Sequence, residues 1–471
     1  MHPDHASVSY WLETARDDLT PRPPLDGSTE VDVAILGAGY SGLWTAYYLL
    51  ARDPSLRVLV VEREIAGFGA SGRNGAWCAP DFNIGLSRLA ELHGDDAARR
   101  TQQATYDAVD EVGRVVAAEG IDAGFHVGGE LRVARGTGGA PGIDADFEEY
   151  ARFGFGDRYE VLDAAGVAER IRIAGAIRGL HGRDGAVVHP GRLVRGLARV
   201  VERQGGRIVE GTTVTDVRPR RPGAPAGSPD GSPVLVTDRG DVRASTVVLA
   251  GEAYLTRLRR LHRQLIPLYS LIVLTEPIGD AAWAEIGWAD RALLASTRLS
   301  IDYLSRTDDG RILFGGRGAP YRFGSPIRDE YDRHDPTHEM LRGFVREWFP
   351  MLGDVRFTHA WGGPLGMPRD WHPTFSYDRA SGIASARGYT GHGVAATNLA
   401  GRTLADLIAG VASPITELPL VDHRSPDWEP EPLRWLGVRY TQWAMGRLDR
   451  QIMETGRPPT GRTLPERLAR R

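Results

Sequence analysis

Residues 31–75 read VDVAILGAGYSGLWTAYYLLARDPSLRVLVVEREIAGFGASGRNG, and the order of features along them decides the fold. Val31 to Leu36 is a short apolar run of the kind that forms a strand buried on both faces of a parallel sheet. Gly37, Gly39 and Gly42 follow at once in a G-x-G-x-x-G pattern. Leu43, Ala46, Tyr47 and Leu50 then recur at helical spacing, so the glycine turn opens a helix. Gly37 permits the tight turn, Gly39 leaves the backbone open to a pyrophosphate, and Gly42 lets the helix lie close to the strand. Unpaired N–H groups and the positive end of the helix dipole receive phosphates there. A second apolar strand, Val58 to Val61, ends in Glu62, twenty residues past Gly42. A carboxylate at that point accepts hydrogen bonds from both ribose hydroxyls and repels a 2′-phosphate, so the reading is an adenine dinucleotide other than NADP. Glycine triplets arise by chance in a chain with 58 glycines, whereas strand, triplet, helix, strand and terminal acid in that order are specific.

The residues after Glu62 separate NAD from FAD. IAGFGASGRNGAW is a long Gly-rich loop with little to pack, leaving the sheet edge at which doubly wound folds bind ligands. Its small residues allow a second close backbone approach, and Arg73 is either a cation for the cofactor or a solvated loop arginine. Here the chain resembles the D-amino-acid oxidase (DAO) superfamily of FAD-dependent oxidoreductases, and Gly69-Ala70-Ser71-Gly72-Arg73-Asn74-Gly75 is similar to the loop of gamma-glutamylputrescine oxidoreductase-type amine oxidases. The resemblance covers roughly residues 30–410. It implies an α/β fold, with a discontinuous Rossmann-like FAD-binding domain and an α+β substrate domain built on an antiparallel sheet. The FAD contacts it implies are Gly37, Gly39, Tyr40, Ser41, Gly42, Glu62, Arg63, Ala70, Ser71, Arg73, Asn74, Gly75, the backbone of Val214, Gly251, Gly391, His392, Gly393 and Val394. Some relatives attach FAD through a histidine in this loop. Here the loop has none and Cys78 reads as a buried structural thiol, so noncovalent FAD is expected.

At 471 residues two domains are expected. The content, 42% hydrophobic and 25% charged, is ordinary for a globular protein. A formal net charge of −4 gives no reason to expect nucleic acid. No apolar run reaches the ~18 residues of a membrane span, and the first residues are neither basic nor apolar enough for a secretion signal, so the expected location is cytoplasmic. With Cys78 the single cysteine, neither an internal disulfide nor a cysteine metal cluster can form, and no metal is expected. All 57 basic residues are arginine. No lysine is therefore present to form a Schiff base or, as in some oxidases of the superfamily, to assist oxygen reduction.

Along the chain, 1–30 reads as an arm that Tyr10, Trp11 and Leu12 either pin onto the body or, the favoured reading, leave in ordinary surface packing. Residues 31–80, 181–262 and 376–425 are assigned to the FAD-binding domain, 81–180 and 263–375 to the substrate domain, and 426–471 to a helical tail. Leu86 to Glu119 predicts one or two helices and Gly128 to Ala134 a strand; Leu193, Leu197 and Val200 mark another helix, and Val234 to Thr237 and Thr246 to Ala250 read as strands. Arg218 to Pro233 is expected to be a flexible hairpin loop. Pro267 to Glu276, Ser300 to Arg306 and Arg311 to Gly316 read as strands, followed by a helix around Met340, Phe344 and Trp348. Tyr269, Tyr303 and Arg317 are candidate pocket residues, or else core tyrosines and a paired surface arginine. Gly391 and Gly393 bracket His392 before a helix with Leu399, Leu404 and Ile408, and a helix N-terminus there stabilises negative charge on the flavin pyrimidine in the resembled family. His392 adds a charge or hydrogen bond, or is a turn histidine. In the tail, Leu433, Leu436, Tyr440, Trp443 and Leu448 form a stripe expected to dock on its own domain, on a second subunit or on a membrane surface.

Glycine oxidases and D-amino-acid dehydrogenases commonly hold the substrate carboxylate with an arginine in a Gly-x-Arg-Pro turn. The corresponding residues, Trp361-Gly362-Gly363-Pro364-Leu365-Gly366-Met367-Pro368, carry none before Arg369. The expected activity is therefore oxidation of a CH–NH bond in a primary or secondary amine, by hydride transfer to flavin N5 and hydrolysis of the imine to an aldehyde. Tyr303, His392 and Arg317 are the catalytic candidates, and oxygen or another acceptor takes the electrons. The alternatives are a D-amino-acid, glycine or sarcosine-like oxidase or dehydrogenase feeding a quinone or carrier, a flavin monooxygenase, and a noncatalytic flavoprotein.

Overall fold

The apolar run after residue 30 becomes the strand Thr29–Leu36, with Ala34 and Ile35 fully buried in the first of two eight-stranded sheets. A computed structural model describes residues 4–221, 231–300, 302–457 and 463. Thr29–Leu36 pairs in parallel with Gly240–Leu249 on one side and Val58–Val61 on the other, and Arg207–Val209 extends the sheet beyond Val58–Val61. Ile383–Arg387 joins the other end of Gly240–Leu249 in parallel, so five strands end at one edge, as doubly wound folds do. Val214–Arg218 and Val234–Thr237 add an antiparallel hairpin, and residues 222–230 of the predicted flexible loop lie outside the described residues.

Two helices carry their N-termini to that edge. Tyr40–Arg52 follows the glycine turn, and Gly393–Ala409 crosses it closely. The crossing depends on Gly401, where a Cβ would come within 2.6 Å of Trp44 Cβ.

The second sheet runs in the order Phe357–Met367, Ile266–Thr275, Ile312–Arg317, Asp302–Arg306, Leu293–Ser296, Glu130–Arg135, Ala176–Gly182, Tyr159–Asp163. Six of its pairings are antiparallel. Leu293–Ser296 and Glu130–Arg135 are parallel, a departure from the expected antiparallel sheet. These two strands come from separate excursions of the chain, so no hairpin fixes their direction. The helix Asp335–Trp348 covers this sheet with Leu341, Val345 and Trp348.

Two further expectations change. Tyr10, Trp11 and Leu12 are core residues rather than surface packing. In the tail helix Leu433–Thr455 the inward face is Arg434, Val438, Ala444, Leu448 and Asp449, whereas Leu433, Leu436, Tyr440 and Trp443 face outward, Trp443 at 51% exposure. Spacing identified the helix but not which of its faces is covered. No helix among the described residues is long and apolar enough to cross a membrane.

Candidate active site

A cavity of about 670 Å³ runs along the edge where the parallel strands end and on to the second sheet. At its first end, Glu62 closes the strand Val58–Val61, and its carboxylate accepts hydrogen bonds from the N–H groups of Ala38 at 2.9 Å and Glu64 at 3.0 Å. Burial raises its pKa despite these bonds. Gly37 has φ +102°, and a Cβ on it would lie 2.8 Å from the Ala250 carbonyl oxygen. Gly42 lies behind the lining, where a Cβ would meet the Gly37 carbonyl oxygen at 2.0 Å. Gly39, Tyr40 and Ser41 face the cavity, and the Tyr40 N–H donates to Ser71 Oγ at 2.9 Å, tying the helix start to the Gly-rich loop. Val214, Gly251 and Arg63 line the same end, with Arg63 paired to Glu64 at 2.9 Å.

The loop residues Ala70, Ser71, Arg73, Asn74 and Gly75 line the middle. Arg73 is less free than a loop cation: it is buried against Asp332, donates to the Phe68 carbonyl oxygen at 2.7 Å and stacks on the Phe68 ring. Burial pushes the Asp332 carboxyl up to about 7 against the pull of Arg73. Asn74 holds the loop in shape, donating to the carbonyls of Ala70 and Ser71 and accepting from the Ala76 N–H.

At the far end the first turn of Gly393–Ala409 presents Gly391, His392, Gly393 and Val394. The two helix starts touch through a hydrogen bond of 2.8 Å between Ser41 Oγ and the Tyr389 hydroxyl. His392 Nδ1 lies 2.6 Å from Asp81 Oδ1. Tyr303 packs its ring against Gly75 and Gly315, where any Cβ would overlap it, and shares a hydrogen bond of 2.9 Å with Ser270 Oγ. Burial pushes its hydroxyl up to about 12. Arg317 donates to the Thr390 carbonyl oxygen at 2.9 Å and lies over Trp371. Tyr269 is placed elsewhere, its hydroxyl bonded to the backbone of Arg328.

The sequence reading missed Glu252 and Asp81. Glu252 lines the cavity at φ +45°, accepts from the Gly388 N–H at 3.0 Å and is pushed by burial up to about 7. An acid three residues past a strand ending at the same edge, as Glu62 stands directly after its own, was the available signal. Asp81 gave none, because its partner His392 lies 311 residues away.

Residues 32–407 match the family described as FAD dependent oxidoreductase, DAO. The chain belongs to that family. Gamma-glutamylputrescine oxidoreductase of Escherichia coli K12 is 28% identical over 412 residues, spanning 87% of this chain and 90% of its own length. Sarcosine oxidase subunit beta of Rhizobium meliloti is 25% identical, spanning 82% of this chain and 86% of its own length. Glycine oxidase from Geobacillus kaustophilus shares the fold at TM-score 0.69 and 19% identity, with 84% of this chain and 100% of that one covered.

FAD fits the cavity of this DAO-family oxidoreductase. A Cβ on Gly39 would enter the space beside Ser71 Oγ, 3.0 Å away, and the buried Tyr254 hydroxyl on the lining has no hydrogen-bond partner among the described residues. A glycine-opened helix start, an acid at the next strand end and an orphaned hydroxyl together suit a ribose and pyrophosphate.

Proposed function

We propose that this enzyme oxidises a CH–NH bond of a primary or secondary amine, with FAD held noncovalently. The observation that carries the substrate reading is the Trp361–Pro368 segment. Gly363, Pro364 and Leu365 line the cavity there without a cation, and Arg369 pairs outside with Glu429 at 3.0 Å and stacks on Trp428. The segment itself offers a substrate carboxylate no bidentate guanidinium. The name of the Escherichia coli relative supports an amine.

In this reading Glu62 takes the ribose hydroxyls, the N–H groups of the glycine turn take the pyrophosphate, and Val214 meets the adenine through its backbone. Gly391, His392, Gly393 and Val394 place a positive helix end at the pyrimidine, where it stabilises negative charge. FAD held by these residues would supply the two-electron acceptor for hydride from the substrate α-carbon. Asp81 orients His392 beside the reacting amine, Arg317 is held next to it on the Thr390 carbonyl, and Tyr303 lies against Gly75. An amine bound neutral needs no side-chain base, and water hydrolyses the released imine to an aldehyde. Noncovalent attachment is supported by a loop without histidine and by Cys78, which is fully buried, has its thiol pKa raised by burial, and does not line the cavity.

Arg317 favours a second reading, an amino-acid oxidase or dehydrogenase, because it places a guanidinium on the lining. The test is the visible spectrum of the purified protein during anaerobic titration with N-methyl amines, alkyl diamines, gamma-glutamylputrescine and D-amino acids. Bleaching by amines is expected, and bleaching by amino acids alone overturns the amine reading. Acid precipitation that leaves all yellow colour in solution checks noncovalent attachment, and oxygen uptake during turnover separates oxidase from dehydrogenase.

A further inference from the structure

The wall of the cavity formed by the strand Glu130–Arg135, the helix Ala140–Arg152 and the segment around Asp81 carries four carboxylates, Asp81, Glu130, Asp146 and Glu149. Three of them have a donor. Asp81 is 2.6 Å from His392, Asp146 is 2.6 Å from Arg132 Nη1, and Glu149 accepts from the Ser87 N–H at 2.8 Å. Glu130 accepts no hydrogen bond and forms no ion pair among the described residues. Arg132 shares its face of the strand but is committed to Asp146. Glu130 is partly buried and faces the cavity with no cation in contact among the described residues, so a cation that arrives with the ligand would meet uncompensated negative charge there. Burial first and Asp81 second push the Glu130 carboxyl up to about 8, the direction expected where negative charge outweighs its local balance. The rings of Tyr150 and Tyr159, stacked with centroids 3.9 Å apart, line the same wall, and aromatic faces attract ammonium groups.

We propose that the substrate carries a second ammonium besides its reacting amine, as an alkyl diamine or polyamine does. Its reacting amine sits at the His392 end, and its second, unreacting ammonium is received by Glu130 beside Tyr150 and Tyr159. This rests on the amine reading given above and adds the charge that decides among amines. A substrate with a neutral or anionic far end leaves Glu130 unpaired or repelled, and the binding site discriminates against it.

The test compares butane-1,4-diamine with butylamine and N-acetylbutane-1,4-diamine as anaerobic reductants of the holoenzyme. Alongside, calorimetry measures binding of 1,4-bis(trimethylammonio)butane and butyltrimethylammonium, neither of which has an N–H to oxidise. The dication is expected to win by at least about tenfold in both assays, the worth of one charge-assisted contact. Glu130→Gln is expected to collapse both ratios, and Glu130→Asp to restore part of them. Equal response to mono- and dications in the wild-type protein overturns the proposal, as does a preference that survives in Glu130→Gln. Should the variants fail to fold, the wild-type ratios still decide whether a dication is preferred. If no amine reduces the flavin, the amine reading fails, while the quaternary ions still report on the second-ammonium site.

Discussion

Gly39 and Gly42 occupy one turn and answer to different neighbours. A methyl group on Gly42 would lie 2.0 Å from the Gly37 carbonyl oxygen and 3.1 Å from Ile35 Cγ2, both fixed in the core. On Gly39 it would meet only the Ser71 side chain, its Oγ at 3.0 Å, which can give way at the expense of one hydrogen bond from the Tyr40 N–H. Gly42→Ala is therefore expected to lower the unfolding free energy by about 3 kcal/mol, the upper range of overpacking. Gly39→Ala should cost less than about 1 kcal/mol and instead weaken FAD binding roughly tenfold, because the methyl occupies space the pyrophosphate needs. Urea unfolding of the apoproteins and FAD fluorescence titration separate the two effects. Equal loss of stability in both variants would refute the division. The close packing at Gly42 was legible in the sequence because the spacing itself encodes it. Arg73 was legible only as a cation in a Gly-rich loop, since Asp332, which engages it, lies 259 residues away.

Periodicity gave the elements their type, but pairing and facing depended on distant chain. The strands from Val31, Val58 and Val234 and the helices after Gly42 and Gly391 were readable because each is bounded by glycine or polar punctuation and keeps one period. Nothing local specified the parallel pairing of Leu293 with Glu130, or which side of Leu433–Thr455 would be covered. The helix Pro190–Arg203 shows what such distance hides. Its N-cap is His189, whose Nδ1 accepts from the Arg192 N–H at 3.2 Å while Nε2 lies 3.0 Å from Thr14 Oγ1 and the ring packs on Trp11. Nδ1 can accept only while unprotonated. Burial first and Arg192 second pull the His189 pKa down to about 4. An unfolded histidine titrates near 6.5, so below that pH the unfolded chain binds a proton that the folded chain refuses. The contribution is complete above about pH 6.5 and is lost as pH falls toward about 4, roughly 3 kcal/mol over the window. His189→Asn keeps an acceptor at the cap and is expected to flatten this acid limb. Urea unfolding at pH 7 and pH 5 measures it, and an unchanged difference between the two pH values in the variant would show that the acid sensitivity arises elsewhere.

The Gly-rich loop is held by three donors from two regions of the chain at once. Ser9 Oγ donates to the Gly72 carbonyl at 2.6 Å, Trp361 Nε1 to that of Arg73 at 2.9 Å, and Trp11 Nε1 to that of Asn74 at 2.8 Å. Three consecutive carbonyls are thus pinned by the N-terminal arm and the second sheet, while Arg73 and Asn74 line the cavity. The same arm wedges against the helix Pro190–Arg203, where a Cβ on Gly191 would lie 2.0 Å from the Trp11 carbonyl oxygen. The part of the site contributed by residues 37–75 could be read in order along the sequence. What holds that part in place could not, because Ser9, Trp11 and Trp361 reach it across 63, 63 and 288 residues. The acids facing the second sheet were hidden for the same reason. If pre-shaping of this loop governs cofactor retention, Trp11→Phe should be revealing, since it keeps a large ring in the core and removes one donor. The orphaned Asn74 carbonyl is expected to cost about 1–2 kcal/mol, and FAD should dissociate about tenfold faster because the loop no longer rests in its bound shape. Stopped-flow release of FAD fluorescence reads the rate, and unfolding of the apoprotein reads the stability. A variant that loses the stability yet releases FAD at the wild-type rate would make the arm a structural brace alone, whereas faster release makes it part of the cofactor site.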